Sequence, residues 1–170
     1  MTTENIKHWH AIYVSSRSEK KVCENLNKKS IEAYVPVVKT IRQWSDRKKI
    51  VEFPLINGYV FVKINSLEIE KTLQTKGIVN FVRENGKLAI IREVEINRIK
   101  QLVELGYHLE SDSIFHEIEI GDKVKITSGP LKNIEGYILN SYNGKYLLVQ
   151  LESIGKSIKV KLPQELLLPI

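Results

Sequence analysis

A single cysteine, Cys23, in 170 residues excludes an internal disulfide and any cysteine-built zinc site. Apolar runs extend only a few residues, far short of the ~20 that a bilayer-spanning helix needs. The opening MTTENIKHWH has no apolar core of the kind a secretory leader carries, so no leader is expected and the cytoplasm is the expected compartment. Histidine is scarce as well. His8, His10, His108 and His116 are the four, and none shares metal-ligand spacing with another His, Cys or carboxylate. There is no Gly-x-Ser-x-Gly, no phosphate-cradling glycine loop and no dinucleotide fingerprint. Without an assembled acid, base and nucleophile, the chain does not read as an enzyme, and neither a cofactor nor a membrane partner is expected.

What is present points to a folded polypeptide with an uneven charge. Apolar residues make up 42% and charged residues 27%, a globular composition, and the length suits one ordinary domain or two small ones. The net charge is +6, and residues 1–50 carry all of it, with 11 Lys/Arg against 5 Asp/Glu. Residues 51–110 hold 8 of each sign and residues 111–170 hold 7 of each. A local positive field of this kind attracts phosphate backbones or acidic protein surfaces.

The patterning divides the chain into two classes of structure. Residues 9–14, WHAIYV, alternate as a strand, with Trp9, Ala11 and Tyr13 on one face and His10, Ile12 and Val14 on the other. Residues 15–30 read as an amphipathic helix, with Ser16 and Glu19 spaced as a capping box. Val22, Cys23 and Leu26 share its apolar side, which makes Cys23 a core residue rather than a nucleophile. Arg17, Lys20, Lys21 and Lys28, with Glu24 among them, form a basic stripe opposite. Residues 32–43 read as extended, with Pro36 at an edge or bulge, and WSDRKK (44–49) reads as a basic loop or hairpin tip. GYVFVKI (58–64) alternates again, Tyr59, Phe61 and Lys63 against Val60, Val62 and Ile64. A short helix is expected over 67–77 with Gly77 as its stop, a hairpin at Asn85-Gly86, and a helix over 93–106 with Ile96, Ile99 and Val103 as its apolar line.

Helices must cover one face of such a sheet. The aliphatic face is the natural choice, which leaves Trp9, Tyr13, Tyr59, Phe61 and Phe81 on the other. Aromatics gathered away from the helices pack under loops or a second domain, stack on bases, or anchor a protein partner.

Residues 117–170 contain only short strands and turns, as in a small SH3-like barrel. The expected architecture is therefore α+β: an antiparallel sheet with flanking helices over residues 1–106, a linker over 107–116, and an all-β barrel over 117–170.

Within the barrel, GDKVKITSGPLKNIEGYI (121–138) resembles the KOW motif through Gly121, Asp122, Val124, Ile126, Gly129, Pro130, Leu131, Gly136 and Ile138. Together with WHAIYV, AYVPVV, FPLINGYVFVKI and GIVNFVRENGKLAII, that order of segments resembles the NusG/RfaH family of transcription elongation and antitermination factors over nearly the whole chain. Pro54, Leu55, Gly58, Tyr59 and Phe61 match the family's docking phrase, while Ile56 and Asn57 replace its usual Phe and Pro. The resemblance implies an N-terminal NGN domain that docks on the clamp helices of the largest RNA polymerase subunit, with Tyr13, Ile56, Tyr59, Phe61 and Phe81 as docking residues. It implies that Arg17, Lys20, Lys21 and, from a neighbouring loop, Lys76 meet the exposed non-template DNA strand. It further implies a KOW domain whose partner is Rho or a small-subunit ribosomal protein, in a chain expected to be a monomer. The altered docking phrase and the basic first helix lean towards an operon-specific antiterminator, such as those of polysaccharide operons. The competing expectation is a free-standing RNA- or DNA-binding module.

Overall fold

The computed structural model describes residues 5–106, 109–113, 121, 123–128, 132–141, 144–161 and 167–170. In chain order the elements are β1 (His8–Val14), α1 (Glu19–Lys28), β2 (Glu32–Tyr34), β3 (Val37–Gln43), β4 (Lys48–Pro54), β5 (Tyr59–Ile64), α2 (Ile69–Leu73), β6 (Ile78–Phe81), β7 (Arg83–Glu84), β8 (Lys87–Leu88) and α3 (Glu93–Glu104). There follow β9 (Leu109–Ser113), β10 (Lys123–Ile126), β11 (Glu135–Ser141), β12 (Gly144–Leu151), β13 (Lys156–Lys161) and β14 (Leu167–Pro169).

Four strands form an antiparallel sheet in the order β2-β5-β1-β6. Its central pairing sets Ala11 opposite Phe61, Ile12 opposite Val60 and Tyr13 opposite Tyr59. Opposed residues share a face, so the two alternating patterns in the sequence become two separate cores. Ile12, Val14, Val60, Val62 and Ile64 pack with Val22 and Leu26 of α1. Trp9, Ala11 and Phe61 pack with Ile96, Ile99 and Leu102 of α3. Each such fully buried side chain contributes about 1.5–3 kcal/mol.

Helix α1 starts two residues later than the capping box would place it. Ser18 is its N-cap, and the Glu19 carboxylate accepts the Gly58 backbone N–H at 2.8 Å instead. This bond ties the helix start to the turn before β5. At Asn85-Gly86 the expected hairpin forms between β7 and β8, with φ of 49° and 79°. Two consecutive left-handed residues are what a tight turn of this hand requires.

The second sheet has six strands in the order β14-β10-β11-β12-β13-β9. Strand β9 falls inside the expected linker and pairs along β13 from Lys156↔Ser113 to Val160↔Leu109. Val124, Ile126, Leu147, Val149, Ile158 and Val160 fill this sheet's core. They belong to one continuous apolar cluster with Trp9, Phe61 and the α3 residues. Gly121 and Gly136 are fixed by close backbone approach. A Cβ on Gly121 would lie 2.8 Å from the Ile138 carbonyl oxygen, and one on Gly136 would run into the carbonyl oxygen of Leu148. Asp122, Gly129, Pro130 and Leu131 of the KOW-like stretch lie outside the described residues.

Candidate functional site

The five expected docking residues do not share one surface. Tyr13 is 40% exposed, and its ring lies 5.0 Å from that of half-buried Tyr59. These two rings close one end of the aromatic face. Ile56 and Phe61 are buried, 1% and 0% exposed, within the cluster that joins the sheet to the barrel. Phe81 corrects the expectation outright. It pairs with Ile12, so it lies on the helix face, packed in the α1-side core and edge-on to His10. Burial, with the hydroxyl of Tyr13 beside it, pushes the Tyr59 phenol well above its ordinary range. Lys156 of the barrel sits 5.5 Å over the Tyr59 ring.

The four expected DNA-contacting residues divide between two clefts. Arg17 and Lys20 line a groove of about 850 Å³ between the start of α1 and strand β4, together with Glu52, Phe53 and Asn57. Arg17 adopts φ 61°, a left-handed conformation for a non-glycine residue. Lys21 and Lys76 line a smaller cleft of about 360 Å³ beside Ser15, Ser18 and Gly77. Lys20 is engaged with Glu52 at 3.1 Å, and Lys39 reaches the same carboxylate at 3.3 Å. Hydrogen bonds from these two ammonium groups hold the Glu52 carboxyl below its usual range. Local periodicity gave no signal for this contact, because Glu52 lies 32 residues from Lys20.

The joint between the two halves was also beyond sequence pattern. Glu95 has a fully buried side chain, and its Oε2 accepts the Ser153 hydroxyl at 2.8 Å, the Arg92 backbone N–H at 3.1 Å and Arg92 Nε at 3.3 Å. Arg92 also reaches Glu152 at 3.3 Å. Lys100 of α3 lies over both Trp9 and Tyr34, at 5.2 and 5.3 Å. The position of Glu95, third in its helix, is the one trace of this joint in the sequence.

Burial would raise the Glu95 pKa, but the hydrogen bonds from Arg92 and Ser153 outweigh it and hold it below the ordinary carboxylate range. A carboxylate depressed in the folded state contributes stability above its unfolded pKa and loses it as pH falls through the folded value. Between pH 7 and 3 the melting temperature should therefore fall more steeply for the wild type than for Glu95→Gln. Parallel curves in differential scanning fluorimetry would remove Glu95 from the acid response.

Comparison with known proteins gives one consistent answer. The family model NusG, described as "Transcription termination factor nusG", matches residues 7–100. The transcription termination/antitermination protein NusG of Borreliella burgdorferi is 25% identical over 173 aligned positions, covering 90% of this chain and 93% of that one. The protein of the same name from Neisseria meningitidis serogroup B is also 25% identical, covering 92% and 94%. Among solved structures, one titled "Domain interaction in Thermotoga maritima NusG" superposes with a TM-score of 0.59 at 24% identity, over 96% of this chain and 97% of that chain. That likeness supports the two-part fold.

Proposed function

The chain belongs to the NusG family, and on that premise we propose that it is a cytoplasmic transcription termination/antitermination factor that binds RNA polymerase. Polymerase binding is general to the family. The finer reading assigns docking on the clamp helices to the exposed end of the aromatic face, where Tyr13 and Tyr59 are the accessible rings. Ile56 and Phe61 support these rings from beneath, and Phe81 stiffens β1 from its helix side. The observation that carries this reading is the 5.0 Å Tyr13–Tyr59 pair, an aromatic anchor left at the surface of the sheet. On the same reading, Arg17 and Lys20 in one cleft, with Lys21 and Lys76 in the next, grip the non-template strand. The KOW half takes a further protein partner, Rho or a ribosomal protein, as its even charge favours. Ile56 and Asn57 in the docking phrase favour an operon-specific role, which transcript profiling of a deletion strain tests by how many operons lose distal transcripts.

The decisive experiment is co-sedimentation of the full chain with core RNA polymerase. Tyr59→Ala should weaken binding by about 2 kcal/mol, roughly 30-fold, as expected of an aromatic anchor that a partner covers on binding. Wild-type affinity in Tyr13→Ala/Tyr59→Ala would move the interface elsewhere. Gel shifts with naked RNA and single-stranded DNA test the competing module reading, which needs strong binding without polymerase and a steep loss with salt.

A further inference from the structure

Residues 41–50, the distal part of the β3–β4 ribbon, line neither of the two clefts described above. Strands β3 and β4 pair with each other from Val37↔Pro54 to Gln43↔Lys48, and among the described residues they pair with no other strand. The tip is closed by the Trp44 N–H donating to the Arg47 carbonyl at 2.8 Å. At the free end of this ribbon, Ile41, Trp44 and Ile50 are 68%, 58% and 64% exposed. Residues 39–49 contain five cations and one carboxylate, Asp46. Arg47 is 74% exposed and among the described residues pairs only with Asp46, at 4.0 Å, while Lys48 and Lys49 are exposed. The register also puts Arg42 directly opposite Lys49. A two-stranded ribbon on its own is only marginally stable. A ribbon with this excess of cations, tipped with exposed apolar groups, matches a polyanion that supplies the missing charge.

We propose that this ribbon is a duplex-DNA contact, lying in the major groove with Trp44 and the Ile41–Ile50 pair against base edges and Arg47, Lys48 and Lys49 on the flanking phosphates. The dimensions agree. Two strands ~4.8 Å apart, with their side chains, fill a groove ~12 Å wide. Seven residues per strand reach ~23 Å along it. Lys39 stays bound to Glu52 near the base of the arm, at 3.3 Å. The contact is therefore confined to the distal half. This partner differs from the strand assigned to Arg17, Lys20, Lys21 and Lys76, and the proposal needs none of the polymerase contacts.

Trp44 provides the probe, because the only other tryptophan, Trp9, is 2% exposed. The full chain is titrated with a 20-base-pair duplex, with either single strand alone, and with phosphatidylserine-containing vesicles, without polymerase. Acrylamide quenching reports Trp44, and anisotropy of labelled DNA reports affinity. The duplex should shield Trp44 more than either strand or the vesicles do. In Arg47→Gln/Lys48→Gln/Lys49→Gln, the affinity lost between 50 and 200 mM salt should shrink by about 40-fold if each cation meets one phosphate. Arg17→Gln/Lys21→Gln should leave the shielding intact. An unchanged salt slope in the triple variant overturns the proposal, as does a Trp44 still open to quencher on saturating duplex. Stronger shielding by single strands or by vesicles overturns it in favour of base stacking or a lipid surface. All three substituted residues are exposed, so the melting temperature should stay at the wild-type value. If it falls, Lys48→Gln/Lys49→Gln is measured in its place, with about 12-fold expected. Failure of these measurements leaves the polymerase test untouched, and the reverse also holds.

Discussion

Phe61→Ala should cost the protein about 3–5 kcal/mol of stability, the usual loss for a buried phenylalanine, and this should be visible as a shifted urea midpoint without polymerase. Phe61 is 0% exposed. It sits opposite Ala11 across the β1–β5 pairing, and its ring lies 6.4 Å from Tyr34 in a stacked arrangement. Small Ala11 and rigid strand backbone leave little that can collapse into the vacated volume, which places the loss towards the upper end. The consequence reaches beyond stability. A Phe61→Ala protein that fails to bind polymerase reports a damaged sheet, not a lost contact. Tyr13→Ala and Tyr59→Ala, at the exposed end of the same face, carry the docking question. A midpoint within 1 kcal/mol of wild type would mean that Phe61 is not the centre of the joint core.

Gly136→Ala should be nearly as damaging, by about 3 kcal/mol or more. The added carbon would run into the Leu148 carbonyl oxygen and lie 2.9 Å from Leu147 Cδ1. The first obstacle is backbone held in the β11–β12 ladder, where Tyr137 faces Leu148, so it cannot yield by a rotamer change. Gly86→Ala is the matched control. Nothing lies within 4 Å of its missing Cβ, and only the φ of 79° opposes the substitution. That costs about 1 kcal/mol. Circular dichroism melts of the two variants should separate accordingly. Because one apolar cluster runs through both halves, Gly136→Ala should lower the melting of the N-terminal sheet as well. A two-step melt with an unchanged upper transition would show that the halves fold independently.

Period-two alternation carried most of the fold. It assigned the opposite faces of β1 and β5, and the Asn85-Gly86 turn was legible because few residue pairs tolerate two left-handed positions. Alternation cannot say which neighbour a strand chooses. Phe81 was misplaced for that reason: β6 meets β1 across a register shift between Tyr13 and Val14, which no local pattern encodes. Ile56 and Phe61 were recognisable as apolar, but their burial depends on α3 and a barrel that arrive in the chain long after them. The start of α1 moved because Glu19 found Gly58, 39 residues away. The same limit hid the partners of Lys20 and Glu95. The ribbon tip was readable as basic, yet only the register revealed that Arg42 and Lys49 stand opposite each other in the ladder.

Helix α3 ends at Glu104 and β9 begins at Leu109, so four residues tie the sheet half to the barrel half. That leash spans at most ~17 Å when fully extended. If the barrel lifts from Tyr59, it stays close enough to act as a reagent at millimolar effective concentration. Any partner reaching for Tyr59 competes with Lys156 and its neighbours at that concentration, and its apparent affinity is reduced by the fraction of molecules that are open. A second partner that holds the barrel alone raises that fraction. By reciprocity, it tightens the first partner by the same factor, although the two need never touch.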